Sequence, residues 1–156
     1  MATESAEKDV ILEEVSSLLG GRHVLSRQPT SRLEIHELLL HGLPTGSLNC
    51  LVEGVDILRE PASTEKALGI SYRTIQRHKQ APAKHLSLEQ SGRVWEFAEI
   101  LTRATSVLGS RKEAEAWLLR PAIALEQRRP LDLLETSEGR RMVGELLERM
   151  EYGVYT

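Results

Sequence analysis

Between Lys66 and Leu88 the chain carries five basic side chains, Lys66, Arg73, Arg77, Lys79 and Lys84, and no acidic one. Cations at that density, interleaved with Tyr72 and Thr74, have the chemistry of phosphate contact. The remainder offers little to catalysis. His36 and His41 lie five residues apart across an expected helix end, which makes them poor co-ligands, and His23 and His85 are expected in solvated loops. A single cysteine, Cys50, excludes an intrachain disulfide and a cysteine-based zinc site. There is no glycine-rich phosphate loop and no Ser/His/Asp grouping that spacing supports. Glu135, Glu138, Glu145, Glu148 and Glu151 are expected on solvent faces. No catalytic residue, metal or cofactor is therefore expected, and the protein is not expected to be an enzyme.

Whole-chain charge hides the basic segment. The 156 residues hold 20 Lys+Arg and 23 Asp+Glu, a formal net charge of −3. Subtracting the five positive charges of the segment from −3 leaves −8 for the rest. A pI near 6.0 thus does not argue against a nucleic-acid partner. No apolar run approaches the roughly 20 residues of a membrane span, and the acidic, polar start does not fit a secretory signal, so the cytoplasm is the expected compartment.

The elements that must hold these residues are helical. Aromatics are only 4% of the chain, and Leu, Glu, Arg and Ala dominate over β-branched runs. A first helix is expected over about 6–19, with an apolar stripe from Val10 to Leu19 that suits either core or a dimer contact, stopped at Gly20-Gly21. A loop is expected over 22–30. Ser31 with Glu34 resembles a capping box opening a helix that ends at His41-Gly42, and a short amphipathic stretch follows from Thr45 to about Val52. Ser63 or Thr64 is expected to cap a helix through Leu68, and Ser71 a second through about Lys79. Ser87 with Gln90 opens a long helix that Gly109 ends. Ser110 with Glu113 opens the next, and Pro130 suits a first helical turn. A last helix is expected over about 137–151, with Val143, Leu146, Leu147 and Met150 on one face. Trp95 and Trp117 fall on apolar stripes and are expected in the core. The expected fold is all-α: an N-terminal helix and loop over 1–30 as a possible dimerisation element, a DNA-binding domain over 31–88, and a small helical domain over 89–156.

Lys66 to Arg77 reads as a helix-turn-helix. Gly69 supplies the positive φ of a tight turn, Ile70 and Ile75 can face inward to fix the crossing, and Ser71 caps the second helix. Its exposed residues, Ser71, Tyr72, Arg73, Thr74, Gln76, Arg77 and Lys79, are the expected DNA contacts, since the second helix of this motif enters the major groove. Such motifs often carry a small residue where this chain has Glu65 and an aliphatic one where it has His78. One short reader helix spans few base pairs, which implies a dimer on paired half-sites.

Further on, Leu118-Leu119-Arg120-Pro121-Ala122-Ile123-Ala124-Leu125, then Pro130-Leu131-Asp132-Leu133-Leu134-Glu135-Thr136 and Gly139, resemble the Xre/MbcA/ParS toxin-binding domain. The ending Leu146-Leu147-Glu148-Arg149-Met150-Glu151-Tyr152-Gly153-Val154-Tyr155-Thr156 is similar to that family's end, and Lys66–Lys79 resembles the Xre-like helix-turn-helix that accompanies it. The resemblance covers about 60–156. Where the family has Asn-Pro-Ala-Leu followed by Gly, this chain has Ala122-Ile123-Ala124-Leu125 followed by Glu126-Gln127.

The resemblance implies an antitoxin of a type II toxin–antitoxin module, paired with a RES-domain toxin that depletes NAD. It implies that Arg149, Tyr152, Gly153, Val154, Tyr155 and Thr156 bind the toxin, the last four reaching into its active site. It also implies that a homodimer binds its own promoter and forms hetero-oligomers with the toxin. A glycine hinge, an aromatic anchor and a terminal carboxylate suit such a tail. Without the resemblance the same ending reads as a frayed terminus. Two alternatives stay open: an autonomous helix-turn-helix regulator with another protein partner, and a helical adaptor whose reader has decayed.

Overall fold

Side-chain caps set five of the ten described helix starts. Ser71 Oγ accepts from the Thr74 amide at 3.2 Å, Ser110 Oγ from the Glu113 amide at 3.2 Å, and Thr136 Oγ1 from the Gly139 amide at 2.9 Å. Ser87 and Gln90 form a complete reciprocal box at 3.1 Å each way. Each such bond satisfies an amide that the first helical turn leaves without a partner.

The computed structural model describes residues 2–80 and 84–153. Ten α-helices follow in order: α1 (Ala2–Leu18), α2 (Arg22–Leu25), α3 (Arg32–His41), α4 (Thr45–Gly54), α5 (Pro61–Leu68), α6 (Tyr72–Lys79), α7 (Leu88–Leu108), α8 (Arg111–Leu118), α9 (Pro130–Leu133) and α10 (Ser137–Glu151). Two 3₁₀ turns, Asp56–Arg59 and Ile123–Leu125, complete them. Among the described residues there is no strand, only two isolated bridges, Pro44 with His85 and Ala122 with Arg128. The fold is all-α. No helix among the described residues is long and apolar enough to cross a membrane.

α7 is the axis of the molecule. It packs against α1, α3, α5, α8 and α10. Ser91, Val94, Trp95, Phe97, Ala98, Ile100, Leu101, Thr102 and Ala104 are buried along it, on more than one face. A helix apolar over so much of its circumference must lie inside a protein. One continuous cluster of buried side chains runs from Val15 through Leu51, Leu68, Ile75 and Phe97 to Leu147. Trp95 and Trp117 belong to it, as their stripes predict.

Several expectations about local structure need correcting. The first helix starts at Ala2, not near residue 6, and its stripe is mostly core: Val15 and Leu19 are buried, Ile11, Leu12 and Leu18 half-buried, and only Val10 is exposed. The stretch after Gly21 is not wholly loop, because α2 forms a single turn there. Ser31 caps α3 as expected, but Glu34 turns back to Thr30 instead, accepting from its amide at 2.6 Å and its hydroxyl at 3.0 Å. Those bonds, with Arg27 nearby, hold the Glu34 carboxyl below its ordinary range. α5 starts at Pro61, which is pre-organised for a first helical turn. Thr64 therefore lies inside the helix, and its hydroxyl donates to the Leu58 carbonyl at 2.7 Å. His85 is not merely solvated: its Nδ1 bonds the Gly42 carbonyl at 2.9 Å, so that nitrogen carries the proton.

The His85 bond is part of a seam that ties the end of α3 to the start of α7. The Leu86 amide donates to the Leu43 carbonyl at 2.8 Å, the Thr45 amide to the Lys84 carbonyl at 2.9 Å, and the Leu43 amide to Ser91 Oγ at 2.9 Å. Gly42, at φ 87°, is needed here, because a Cβ would fall on the Leu86 carbonyl oxygen.

Candidate functional sites

The two short helices α5 and α6 meet at the glycine turn and serine cap that their residues predict. Gly69 closes α5 with φ 65° and its amide donates to the Glu65 carbonyl at 2.8 Å. Ala67, Leu68, Ile70 and Ile75 are buried and hold α6 against α4 and α5. Ser71 does more than cap, since its hydroxyl also donates to Thr74 Oγ1 at 2.9 Å. Tyr72, Arg73, Arg77 and Lys79 are exposed, and Ser71, Thr74 and Gln76 are half-exposed. These residues share one short helix whose outward side is cationic. Glu65 is exposed, so its size does not obstruct the crossing. His78 replaces an aliphatic side chain at a half-buried position; its Nε2 is buried without a partner. Burial, then Arg77 and Lys84, push its pKa below the ordinary value, so the ring is held neutral.

Lys66 belongs to a different cluster from the one its sequence position suggests. Its Nζ lies 2.6 Å from Asp132 Oδ1, on α9. Arg129 binds the same carboxylate with Nε to Oδ2 at 2.9 Å and Nη2 to Oδ1 at 2.8 Å. The Arg129 fork, then Lys66, hold the Asp132 carboxyl far below its usual range. Four of the five basic residues of the segment, Arg73, Arg77, Lys79 and Lys84, remain outside this cluster.

A residue that sequence reasoning missed completes the junction. Arg93, on α7, places its guanidinium beside the turn, with Nη2 donating to the carbonyls of Lys66 at 3.2 Å, Ala67 at 3.3 Å and Leu134 at 3.1 Å. It serves carbonyls that the end of α5 leaves without a helical partner, and shares the Leu134 carbonyl at the end of α9 with Arg140. A Cβ on Gly69 would sit 2.7 Å from Arg93 Nη1, a second reason for glycine at the turn. The carbonyls it joins are 26 to 41 residues away in sequence, so no local signal reveals it.

In the C-terminal half, α8 is anchored to the end of α4 and to the 3₁₀ turn that follows it. Glu115 is buried and accepts from the Ile57 amide at 2.9 Å, and Arg111 donates to the Gly54 carbonyl at 3.1 Å. The loop between α8 and α9 closes on itself through Ala122 and Arg128, and leaves Ile123 79% exposed. Its turn uses Glu126 at φ 54° and Gln127 at φ 64°. Two consecutive left-handed residues stand where the resembled family places a glycine. α10 then starts hard against α9, and Arg140 ties the two, donating to the Leu134 carbonyl at 2.9 Å with its Nε 2.8 Å from Glu96.

The far end of α10 carries the other candidate residues. Arg149 is exposed and Tyr152 is 71% exposed; they line a shallow surface groove with Glu145 and Glu148. Gly153 has φ 72°, so it turns the chain out of the helix. Val154, Tyr155 and Thr156 lie outside the described residues. Among the described residues no group of three or more His, Cys, Asp or Glu could hold a metal ion.

Residues 103–153 match the family described as the antitoxin Xre/MbcA/ParS C-terminal toxin-binding domain. The chain is also 32% identical over 92 residues to Antitoxin Xre of Yersinia enterocolitica, an alignment covering 58% of this chain and 62% of that protein. Both matches support an Xre/MbcA/ParS-family antitoxin. The matched segment takes in the last six residues of α7, the strained loop, the α9–α10 contact and the exposed end of α10. The aligned region spans about three fifths of the relative's length, 62%.

Proposed function

We propose that this protein neutralises a RES-domain, NAD-depleting toxin by placing its C-terminal tail in the toxin's active site, and represses its own promoter as a dimer. The match of residues 103–153 to a toxin-binding domain is the observation that carries the reading. The end of α10 supports the occlusion step. A 15-residue helix, anchored by buried Val143, Leu146 and Leu147, presents Arg149 and Tyr152 to solvent and leads through Gly153 into Val154, Tyr155 and Thr156. A helix held at its base fixes the point from which the tail departs, so that part of the ordering cost of binding is already met. Tyr155 and Tyr152 are rigid, amphipathic anchors of the kind that concentrate binding energy. Inhibition of this type needs contact alone, so no catalytic chemistry of the chain's own is invoked.

The promoter arm rests on the exposed cationic side of α6. In this reading Tyr72, Arg73, Thr74 and Gln76 face base edges, while Arg77 and Lys79 meet phosphate, with Ser71 at the helix start. We assign the two roles to 31–88 and 89–156, with 1–30 supporting the first. Setting is the bacterial cytoplasm, where both the toxin and the operator are found.

Co-expression with the product of the adjacent reading frame tests the reading. The expected result is a RES-domain neighbour that co-purifies with this chain and is silenced by it. A chain that binds its own promoter yet co-purifies with no neighbour would replace the reading with that of an autonomous regulator.

A further inference from the structure

The dimer invoked above has no assigned contact, and α1, whose stripe is mostly core, offers only Val10. The outer face of α3 is better suited. Ile35, Leu38 and Leu39 turn toward the body, half-buried, while Leu33 and Leu40 are 66% and 57% exposed on the opposite side. Between them, on the same face, stand His36 and Glu37, both exposed. Positions 33, 36, 37 and 40 have the i, i+3, i+4, i+7 spacing of a helix–helix seam. The stripe therefore reads apolar, polar, polar, apolar along one exposed side of α3.

The order of those four residues is self-complementary. When two copies of α3 run antiparallel about a two-fold axis between residues 36 and 37, Leu33 meets Leu40 of the second copy, and Leu40 its Leu33. At the centre, His36 meets Glu37 of the second copy, twice by symmetry. A parallel arrangement would instead set Glu37 against Glu37. The seam described above fixes the start of α7 beside the end of α3, where Leu88, the first residue of α7, is 58% exposed.

We propose that the outer face of α3 is the homodimer contact, formed by antiparallel pairing of Leu33 and Leu40 across a central His36–Glu37 couple. The occupant is a second copy of this chain, because the face matches its own two-fold image in both apolar and charged positions. The inference rests on the dimeric reading of the promoter arm and names the surface that serves it.

The test is sedimentation of the full chain without DNA, over a concentration series. Wild type is expected to dimerise, and L33E/L40E to raise the dissociation constant by at least about a hundredfold, since two leucine contacts become buried carboxylates. Those side chains are exposed, so the variant should keep the wild-type circular dichroism. H36E alone sets carboxylates opposite one another and should weaken the dimer by about tenfold or less. The exchange H36E/E37H should restore it. A dimer unchanged by L33E/L40E overturns the contact and leaves the dimeric promoter reading standing. A wild-type chain monomeric at every concentration overturns both. Failure of the exchange to rescue H36E overturns the antiparallel register.

Discussion

Two glycines on α10 should respond to alanine with opposite signs. Gly144 lies in the helix interior, and a Cβ there would meet nothing within 4 Å. Alanine removes the backbone freedom that glycine gives the unfolded chain and should stabilise by about 0.5–1 kcal/mol. Gly139 lies in the first turn, where α10 abuts α9. A Cβ there would fall on the Leu133 carbonyl oxygen, 2.7 Å from its carbon and 3.0 Å from its Cα. All three are backbone atoms and cannot rotate away. Relief requires moving the start of α10 off α9, which strains the Thr136 cap at 2.9 Å and the Arg140 bond to Leu134 at 2.9 Å. Losing a cap costs about 1 kcal/mol and overpacking about 1–3 kcal/mol, against a propensity gain of at most about 1 kcal/mol. Gly139→Ala should therefore destabilise by about 1–3 kcal/mol, lowering the melting temperature by roughly 3–10 °C. Urea unfolding followed by circular dichroism reads both variants. If Gly139→Ala is as stable as Gly144→Ala, the close approach of α9 and α10 is wrong, and with it the geometry assigned to the matched domain.

Other consequences follow from the junction, the strained loop and the reader. Asp132 has its carboxyl pKa depressed from the ordinary 3.8 by Arg129 and Lys66. A depressed carboxylate stabilises fully above its unfolded pKa and loses that contribution as pH falls toward the folded one. The stability gap between wild type and Asp132→Asn, about 1 kcal/mol for a third-exposed cluster, should be flat from neutral pH to about pH 5 and close below about pH 4; a gap that widens on acidification would contradict the assignment. Gln127→Gly, at φ 64°, should stabilise by about 0.5–1 kcal/mol in chemical unfolding, since left-handed backbone costs a side chain about 1–2 kcal/mol and glycine's extra unfolded entropy offsets part of it. Arg73→Ala with Arg77→Ala should weaken promoter binding and flatten its salt dependence by about 0.9 in log–log slope per lost phosphate contact; Lys66→Ala should leave that slope unchanged, because Lys66 is held by Asp132.

What the sequence shows well is what is decided locally. Ser71, Ser87 and Ser110 declare their helix starts because a cap reaches only two or three residues, and Gly69 declares its turn because the left-handed region excludes most other residues. The aliphatic stripes likewise assign Phe97 and Trp117 to the core. The misses are places where a distant group or a competing local bond intervenes. Thr64 looks like a cap until Pro61 starts the helix and Leu58 takes the hydroxyl. Glu34 looks like the second half of a box until Thr30 offers it two donors. Lys66 counts toward a phosphate-binding patch until the fold brings Asp132 to it from 66 residues away. Arg93 is silent in the sequence, since its worth lies in three carbonyls from two separate helix ends. The replaced glycine at Glu126-Gln127 is visible as a departure, but only the backbone shows that both residues adopt the left-handed turn.

Titration of a RES-domain toxin's NAD consumption with the full chain, and with a chain ending at Tyr152, addresses the central claim most directly. The full chain should abolish turnover at stoichiometric amounts. The shortened chain should still bind, through the remaining surface of the matched domain, yet leave NAD consumption largely intact. Equal inhibition by both would contradict occlusion by Gly153, Val154, Tyr155 and Thr156.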